Sequence, residues 1–202
     1  FRSAKVDLGS CDAETFECIL RDTVGSDYDP VFEIVILVHN AGSLGALNYL
    51  ANIQDLNAIN KFYQLNVSSV IPLTSVFLKI IRGFSTKPKI FVVNISSLCA
   101  LSPTKSLSLY CSAKAARDML FKNLALEEGD AIRVLNYAPG PLDNDMQDEL
   151  RALCEDPEVK EMFTKMKETN QLLPVKTSVE KLILILKENK FESGKHIDFY
   201  DY

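Results

Sequence analysis

The stretch that decides the fold is Ile34-Val35-Ile36-Leu37-Val38-His39-Asn40-Ala41-Gly42, an apolar run followed at once by small and polar residues. A run this rich in β-branched residues is typical of a strand buried on both faces of a parallel sheet. We therefore predict a strand over residues 34–38, in the middle of a sheet. Because residues 1–9 are short and polar, we also expect the whole protein to have further N-terminal strands beyond these 202 residues.

Similar apolar runs recur along the chain, with helical patterns between them. Further strands are predicted over residues 90–95 and 132–137, with a weaker one over 196–200. Helices are predicted over residues 55–82, 109–127, 145–170 (as two short helices around Pro157) and 178–189, where Ser178 would be the N-cap. Pro72 should kink or split the first of them. Alternating strands and helices predict one α/β domain with a parallel sheet.

Composition excludes several classes of function. With 22 basic against 27 acidic residues and a net charge of −5, the chain lacks the basic footprint of a nucleic-acid binder. Five scattered cysteines and two histidines provide no metal-ligand spacing, and they indicate free thiols in a reducing, cytoplasmic compartment. The longest uncharged stretch, residues 34–54, contains asparagine, glutamine, histidine and glycine, so we expect no membrane span.

Tyr110 and Lys114 are the residues whose pattern first suggests chemistry. They are four apart on the clearest predicted helix and so project from one face. A lysine ammonium nearby favours the phenolate, which would lower the tyrosine pKa and let the side chain pass a proton to a carbonyl. Ser97, at a strand end, could donate a hydrogen bond to the same oxygen. Asn66, near the expected kink, could hold a water through its amide.

Each of these residues also has a purely structural interpretation. The Tyr110–Lys114 pair fits an amphipathic helix with a buried ring, Ser97 fits a helix cap, and Pro139-Gly140 fits a turn. A dinucleotide site would need a glycine cluster directly after a strand, and Gly42 with Gly45 does not form that fingerprint. What favours a site is that all these residues fall at the carboxyl ends of successive elements.

Taken together, Asn40-Ala41-Gly42, Asn66, Ser97, Tyr110-x-x-x-Lys114 and Pro139-Gly140 resemble the short-chain dehydrogenase/reductase family in order and approximate spacing. The resemblance implies a Rossmann-like doubly wound parallel sheet over residues 1–202, seen here without its first strands and glycine-rich loop. It also implies an NADP cofactor, a homodimer and the cytosol. Lacking the glycine-rich segment, the 202 residues alone are expected to be inactive.

Within that family, residues 94–101, 110–121, 135–143 and 193–201 are most similar to members that reduce a pterin side-chain ketone with NADPH in tetrahydrobiopterin synthesis. The resemblance implies that Tyr110 donates the proton and that Ser97 holds the carbonyl oxygen. It implies that Lys114 binds the nicotinamide ribose and lowers the tyrosine pKa, and that Asn66 holds the water of a proton relay.

The resemblance also implies binding residues at both ends of the site. Asp198 would anchor the pterin, since a carboxylate can accept parallel hydrogen bonds from the 2-amino group and the adjacent ring N–H. Leu98 and Gly140, with Ser97 and Tyr110, would complete the pterin pocket. The residues implied to contact the cofactor are Val6, Asp7, Asn40, Ala41, Gly42, Tyr110, Lys114, Pro139, Leu142, Asp143, Asn144, Asp145, Met146 and Gln147.

Three residues, His39, Asn144 and Pro72, depart from the family pattern, and two other functions stay open. His39 replaces the usual asparagine, and we expect it to keep a buried hydrogen bond. Asn144 stands where the family generally has threonine, in the part that clamps the cofactor. One alternative is a reductase of other carbonyls or dicarbonyls, which would gain little from Asp198. The other is a shortened, non-catalytic isoform that acts as a binding partner.

Overall fold

Four parallel strands form the sheet of the computed structural model, which describes residues 3–24 and 31–202. The strands are β1 (Ile34–His39), β2 (Lys89–Ile95), β3 (Ile132–Ala138) and β4 (His196–Asp198), hydrogen-bonded in that order. The registers pair Ile34 with Lys89 and Ile90 with Ile132. The predicted parallel α/β sheet is confirmed, with β4 ending at Asp198 because residues 199–201 form a 3₁₀ turn.

Seven α-helices connect and cover the strands in the described residues. They are α1 (Ala13–Val24), α2 (Leu56–Tyr63), α3 (Val70–Arg82), α4 (Ser108–Glu128), α5 (Asp145–Leu153), α6 (Pro157–Glu168) and α7 (Val175–Glu188). On one face of the sheet, side chains of α1, α3 and α4 form a core with Val92 and Val134. On the other face, α7 packs against Phe91, Val93 and Leu135. Helices therefore cover both faces, as in a doubly wound fold.

A third apolar cluster lies beyond the carboxyl ends of the strands. It joins Leu44 and Leu107 to Leu150 of α5 and Val159 of α6. The helices α5 and α6 thus cover the carboxyl ends of the strands, which is where open α/β sheets bind ligands.

β1 is covered on one face only by the described residues. Val35 and Leu37 pack into the core with α1 and α3. Ile34, Ile36 and Val38 are 54%, 45% and 46% exposed, and β1 pairs only with β2 among the described residues. The sequence predicted that this strand is buried on both faces, and in the described residues one face of β1 is exposed instead.

The long helical run breaks at a different place from the one predicted. A single π turn, Gln64–Ser68, separates α2 from α3, and the N–H of Ser69 bonds to the carbonyl of Gln64. Pro72 lies in the first turn of α3, where a missing N–H is tolerated, so the split at Pro72 was wrong.

Two further helix predictions need correction. The N-cap position of α7 is Pro174, and Ser178 lies inside the helix, where its Oγ hydrogen-bonds at 3.0 Å to the Tyr137 hydroxyl. The cap role of Ser178 was therefore wrong, because its hydroxyl has a tertiary partner. The helix α1 was not predicted, and its Phe16 packs in the main core.

Candidate active site

A cavity of about 620 Å³ opens at the carboxyl ends of the strands, under α5 and α6. The predicted site residues that line it are Asn40, Ala41, Gly42, Ser97, Leu98, Tyr110, Lys114, Pro139, Gly140, Leu142, Asn144, Met146, Gln147 and Asp198. Those that do not line it are Val6, Asp7, Asn66, Asp143 and Asp145. The fold therefore brings residues from four separate strand ends to one concave surface.

Ser97, Tyr110 and Lys114 meet on the floor of this cavity. Ser97 follows β2, and its Oγ accepts from the N–H of Cys99 at 3.2 Å. Tyr110, in the first turn of α4, lines the same cavity as Ser97. The Lys114 Nζ lies 5.4 Å from the centre of the Tyr110 ring and donates to the Ile95 carbonyl at 2.7 Å. Two hydroxyls thus face the cavity together.

Burial controls the protonation of the Tyr110–Lys114 pair. It raises the pKa of Tyr110 to about 12, with the charge of Cys99 adding to the rise. It lowers the pKa of Lys114 to about 7, with the neighbouring Arg117 guanidinium acting in the same direction. The pKa of Tyr110 therefore moves in the opposite direction to the predicted one, and desolvation is the largest cause of the rise.

Asn66 ties the loop after β1 to the π turn. It is 3% exposed; its Oδ1 accepts from the N–H of Ser43 at 2.9 Å, and its Nδ2 donates to Ser43 Oγ and the Phe62 carbonyl. A Cβ on Gly42 would lie 3.0 Å from Asn66 Oδ1, so the close approach needs glycine there. Both amide hydrogens have protein partners, which leaves acceptor capacity on Oδ1 for a water.

A buried arginine holds the strand ends together, and sequence reasoning missed it. Arg117 is 1% exposed and donates to the carbonyls of His39 at 2.7 Å and Ala41 at 2.9 Å, and to Asn94 Oδ1 at 2.8 Å. Burial lowers its pKa to about 10, so it keeps its charge at neutral pH. Its position three residues after Lys114, on the same helix face, is the signal that could have revealed it.

Asp118 continues this polar network toward the strand that presents Asp198. Its Oδ1 accepts from Ser96 Oγ at 2.5 Å, and its Oδ2 lies 2.5 Å from His196 Nδ1. His196 begins β4, whose last residue is Asp198. The network therefore links α4, which carries Tyr110 and Lys114, to the strand that presents Asp198.

Asp198 is held in a tight turn at the cavity rim. Its Oδ1 accepts from the N–H of Tyr200 at 3.0 Å, and its own N–H donates to Asp201 Oδ2 at 3.0 Å. Gly140 faces the same turn with φ +76°, and a Cβ there would lie 2.7 Å from Leu173 Cδ1 and 3.3 Å from Phe199 Cβ. These contacts fix the backbone on both sides of the carboxylate.

The loop that enters α5 lies on the opposite side of the cavity. Asn144 caps α5, its Oδ1 accepting from the N–H of Gln147 at 3.2 Å, so the cap occupies part of its hydrogen-bonding capacity. Gln147 Oε1 is buried and has no hydrogen-bond partner among the described residues. Asp143 is exposed and pairs with Lys167 at 2.7 Å, and Asp145 is exposed in the first turn of α5.

The remaining predicted residues lie away from the cavity. Asp7 is exposed and caps its own turn, since its Oδ1 accepts from the N–H of Gly9 at 3.0 Å; Val6 precedes it and is half-buried. His39 keeps the predicted buried hydrogen bond, with Nε2 2.9 Å from Thr74 Oγ1. Its burial, with the charge of Arg117, lowers its pKa to about 3, so the imidazole is neutral.

One wall of the cavity is apolar and was not predicted. It is lined by Leu44, Leu107, Met162, Phe163 and Met166. These residues were missed because an apolar stripe at helical spacing predicts core packing, and only the tertiary arrangement turns it toward a cavity.

Neither a metal site nor a clear membrane span emerges from the described residues. They contain no group of three or more histidine, cysteine, aspartate or glutamate side chains placed to hold a metal ion. The helical run Leu56–Arg82 has the length and apolar composition of a membrane span, but half of its most apolar window is buried inside the protein. A buried core helix gives the same signal.

The sequence and the fold are similar to those of known proteins. Residues 11–155 match the family model for short chain dehydrogenases. Sepiapterin reductase from Mus musculus is 46% identical over 170 residues, covering 83% of this chain and 64% of the relative, so the chain spans less than two thirds of that relative. Benzil reductase ((S)-benzoin forming) from Bacillus subtilis is 30% identical over 193 residues, covering 94% and 76%. The crystal structure of KRED1-Pglu superposes with a TM-score of 0.81 at 26% identity, covering 95% and 77%.

Proposed function

Because the chain belongs to the short-chain dehydrogenase family, we propose that the whole protein reduces a pterin side-chain ketone with NADPH. The observation that carries the proposal is the presence of Asp198 on the same cavity as Ser97 and Tyr110. One end of the cavity can hold a carbonyl oxygen, and the other can recognise a ring with adjacent N–H donors. The similarity to the sepiapterin reductases supports the same substrate class.

Ser97 and Tyr110 would polarise and protonate the ketone. Two hydroxyls that face one point can both donate to a carbonyl oxygen, and this stabilises the negative charge that develops as the carbonyl is reduced. The raised pKa of Tyr110, a consequence of burial, keeps its phenol protonated at neutral pH. The protonated form is the one a proton donor needs.

Lys114 and Asn66 would restore the proton on Tyr110. A lysine whose pKa burial lowers to about 7 gains and loses a proton readily near neutral pH, and its Nζ lies beside the Tyr110 ring. Asn66 Oδ1 retains acceptor capacity for a water on the route to solvent. Arg117 keeps the strand ends and α4 in register for this exchange.

The cavity residues fit the nicotinamide end of a dinucleotide. Gln147 Oε1 is a buried acceptor without a donor, as an amide group of a ligand would require, and Lys114 can donate to ribose hydroxyls. Asn40, Ala41 and Gly42 line the same cavity at the end of β1. A bound nicotinamide cofactor would supply the hydride. We propose NADPH as this cofactor and expect the 202 residues alone, without a glycine cluster after a strand, to be inactive.

Asp198 would anchor the pterin ring. Its carboxylate has four acceptor positions, of which the Tyr200 N–H occupies one, so two oxygens remain able to accept the parallel donors of a 2-amino pyrimidinone. The apolar wall of Leu44, Leu107 and Phe163 would pack on the ring face. The product would belong to tetrahydrobiopterin synthesis.

We also propose that two copies pair through α3 and α4 in the cytosol. A shallow groove of about 380 Å³ runs between these helices, and Ile71, Leu120 and Leu124 line it. Ile71 and the nearby Met119 are more than half exposed, although both are large and apolar. The five cysteines are free thiols, in keeping with a reducing compartment.

A reductase of aromatic dicarbonyls is the second candidate function. The apolar wall suits an aromatic ketone, and the benzil reductase of Bacillus subtilis is a relative. Asp198 distinguishes the two, because a ketone without ring N–H donors gains little from a carboxylate at that rim.

The test is NADPH oxidation by the purified natural protein, with sepiapterin and with benzil as substrates. Turnover of sepiapterin at a much higher kcat/KM than benzil supports the proposal. A higher kcat/KM for benzil than for sepiapterin would instead favour the reduction of dicarbonyls as the function. If the protein neither binds NADPH in a titration nor oxidises it, the reductase proposal is lost, and a non-catalytic binding role is favoured.

A further inference from the structure

A lysine of α7 holds the turn that presents Asp198. Lys181 Nζ donates to the carbonyl of Phe199 at 2.9 Å and to that of Tyr202, and it lies 4.3 Å from the centre of the Phe199 ring. Phe199 follows Asp198 directly and is buried. One ammonium group therefore binds the first residue of the 3₁₀ turn and the residue that follows the turn, and ties both to the helix.

The same face of α7 also holds the loop after β3. Ser178 is three residues before Lys181, and its Oγ donates to the carbonyl of Pro139 at 2.8 Å. Pro139, Gly140 and Asp198 all line the cavity, whereas none of the described residues that line it belongs to α7. The helix therefore acts on the cavity only through the backbone segments that it holds.

The hydrogen bonds of Asp198 itself lie within the turn. Its Oδ1 accepts from the N–H of Tyr200, and its N–H donates to Asp201 Oδ2, both at 3.0 Å. These bonds fix the shape of the turn. Its place beside the cavity is fixed by contacts with the rest of the protein, of which the pairing of Asp198 with Ala138 lies before the turn and the bonds to Lys181 lie within and after it.

We propose that Lys181 is a positioning residue, which holds the turn after β4 so that the Asp198 carboxylate is preorganised to accept the parallel N–H donors of a ring ligand. The inference rests on the proposed function, because it takes Asp198 as the anchor of a pterin-type ring. A carboxylate that is already fixed loses less conformational freedom when the ligand binds, so the affinity is higher. Since Lys181 does not line the cavity, its loss should affect binding and not the chemical step.

The first experiment measures NADPH oxidation with sepiapterin by the purified natural protein and its Lys181→Met variant. Methionine keeps an unbranched apolar chain over Phe199 but cannot donate to the carbonyls, so KM should rise about 3- to 10-fold while kcat stays within about twofold. Lys181→Arg should restore most of the affinity, because a guanidinium has several donors and stacks on aromatic rings. Lys187→Met removes an exposed lysine from the same helix and, as the matched control, should leave KM unchanged.

A double variant shows whether Lys181 acts through Asp198. In the Asp198→Asn background the carboxylate is already lost, so Lys181→Met should raise KM by less than about twofold further. A rise as large as in the parent protein would show that Lys181 acts on another part of the site. An unchanged KM in Lys181→Met alone would show that the carboxylate needs no such support. Either result overturns the proposal.

Hydrogen–deuterium exchange tests the positioning role without a substrate. At short labelling times, a peptide covering residues 198–202 should exchange faster in Lys181→Met than in the parent, because the amides of Asp198 and Tyr200 are bonded within the turn that Lys181 holds. Peptides from β3 and α4 should exchange at the parent's rate. Equal exchange of residues 198–202 in the two proteins overturns the proposal. If the parent does not turn over sepiapterin, the pterin function fails, and this measurement alone decides whether Lys181 holds the turn.

Discussion

Lys114 lies one helical turn after Tyr110, with its Nζ 5.4 Å from the centre of the tyrosine ring and bonded to the Ile95 carbonyl at 2.7 Å. Lys114 therefore contacts both the tyrosine ring and the end of β2. The pair is therefore arranged so that Tyr110 stays protonated, while Lys114 changes its charge near neutral pH.

Replacing Tyr110 with phenylalanine should remove the proton donor and leave the fold intact. The ring still packs in the same cluster, so we expect kcat with sepiapterin to fall by about 10²–10⁴-fold and NADPH affinity to change little. Stopped-flow measurement of NADPH oxidation and a fluorescence titration check both parts. Tyr63→Phe is the control, since its hydroxyl bonds to Ser112 on the neighbouring helix at 2.6 Å. Equal loss in both variants would contradict a specific role for Tyr110.

The buried Lys114 should make stability depend on pH above neutrality. Its folded pKa of about 7 lies below the ordinary value, so the unfolded chain binds more protons between pH 7 and about 10.4 and stability rises with pH in that window. Relative to Lys114→Met, the free energy of unfolding of the parent should therefore increase by up to about 4 kcal/mol from pH 7 to about 10. Urea denaturation at several pH values measures it.

The control for that experiment is Lys61→Met, which removes an exposed lysine from α2. Its curve of stability against pH should run parallel to that of the parent protein. If the Lys114→Met curve runs parallel as well, Lys114 is charged in the folded protein throughout this range, and its proposed part in proton exchange near neutral pH is lost.

Asp198→Asn should weaken pterin binding more than the chemical step. The amide oxygen can still accept from the Tyr200 N–H, so the turn is kept while the charge is lost. A hydrogen bond to a charged group contributes about 1.5–3 kcal/mol, so KM for sepiapterin should rise by about 10- to 100-fold with a small change in kcat. Asp201→Asn removes a carboxylate from the same turn but outside the cavity lining, and it should leave KM nearly unchanged. An unchanged KM in Asp198→Asn would contradict the proposed role of Asp198 in binding the pterin.

Much of the fold could be predicted because its signals are local. The buried runs in β2 and β3, the long amphipathic α4, and the pair of helices around Pro157 each follow from periodicity or from a residue that ends a helix. The π turn before α3 could not be predicted, since it depends on tertiary contacts. Asn66 within it bonds to Ser43, 23 residues earlier in the chain.

The candidate site likewise contains residues that local sequence signals reveal and residues that only the tertiary structure reveals. Ser97 could be placed from its strand end, Tyr110 from its helical spacing to Lys114, and Gly140 and Asp198 from the resemblance to the family. All four line the cavity. Arg117 and Asp118 could not be placed, because charged residues are usually exposed, and their burial depends on carbonyls and amides from three separate strands. The tyrosine pKa was predicted in the wrong direction for a related reason: spacing shows which charges are near, but not how much water burial removes.

Gly140→Ala should destabilise the protein and disturb the rim of the cavity next to Phe199. The new Cβ would meet Leu173 at 2.7 Å and Phe199 at 3.3 Å, in a backbone conformation with φ +76°. Strain and overpacking together should lower the free energy of unfolding by roughly 2–5 kcal/mol. Gly129→Ala is the matched control, because it has φ +54° and no atom within 4 Å of the new Cβ, so it carries only the backbone strain. If urea denaturation shows equal losses of unfolding free energy in the two variants, crowding of the new Cβ at Gly140 does not contribute to the loss.

His39→Asn should make the protein more resistant to acid. Burial and the Arg117 charge lower the pKa of His39 to about 3, against about 6.5 in the unfolded chain, so the unfolded state binds a proton that the folded state does not. Stability is lost as pH falls from about 6.5 to about 3, and this residue accounts for up to about 4–5 kcal/mol of the loss. In His39→Asn, the drop in unfolding free energy between these pH values should shrink by that amount.

The control is Thr74→Val, which removes the 2.9 Å partner of the imidazole. It should lower the free energy of unfolding by about 1 kcal/mol at neutral pH and leave the acid slope, the loss of that free energy per pH unit below about 6.5, as in the parent. Identical acid slopes in the parent and His39→Asn would mean that the buried imidazole is protonated at little cost, and that the neutral ring inferred from its burial is wrong.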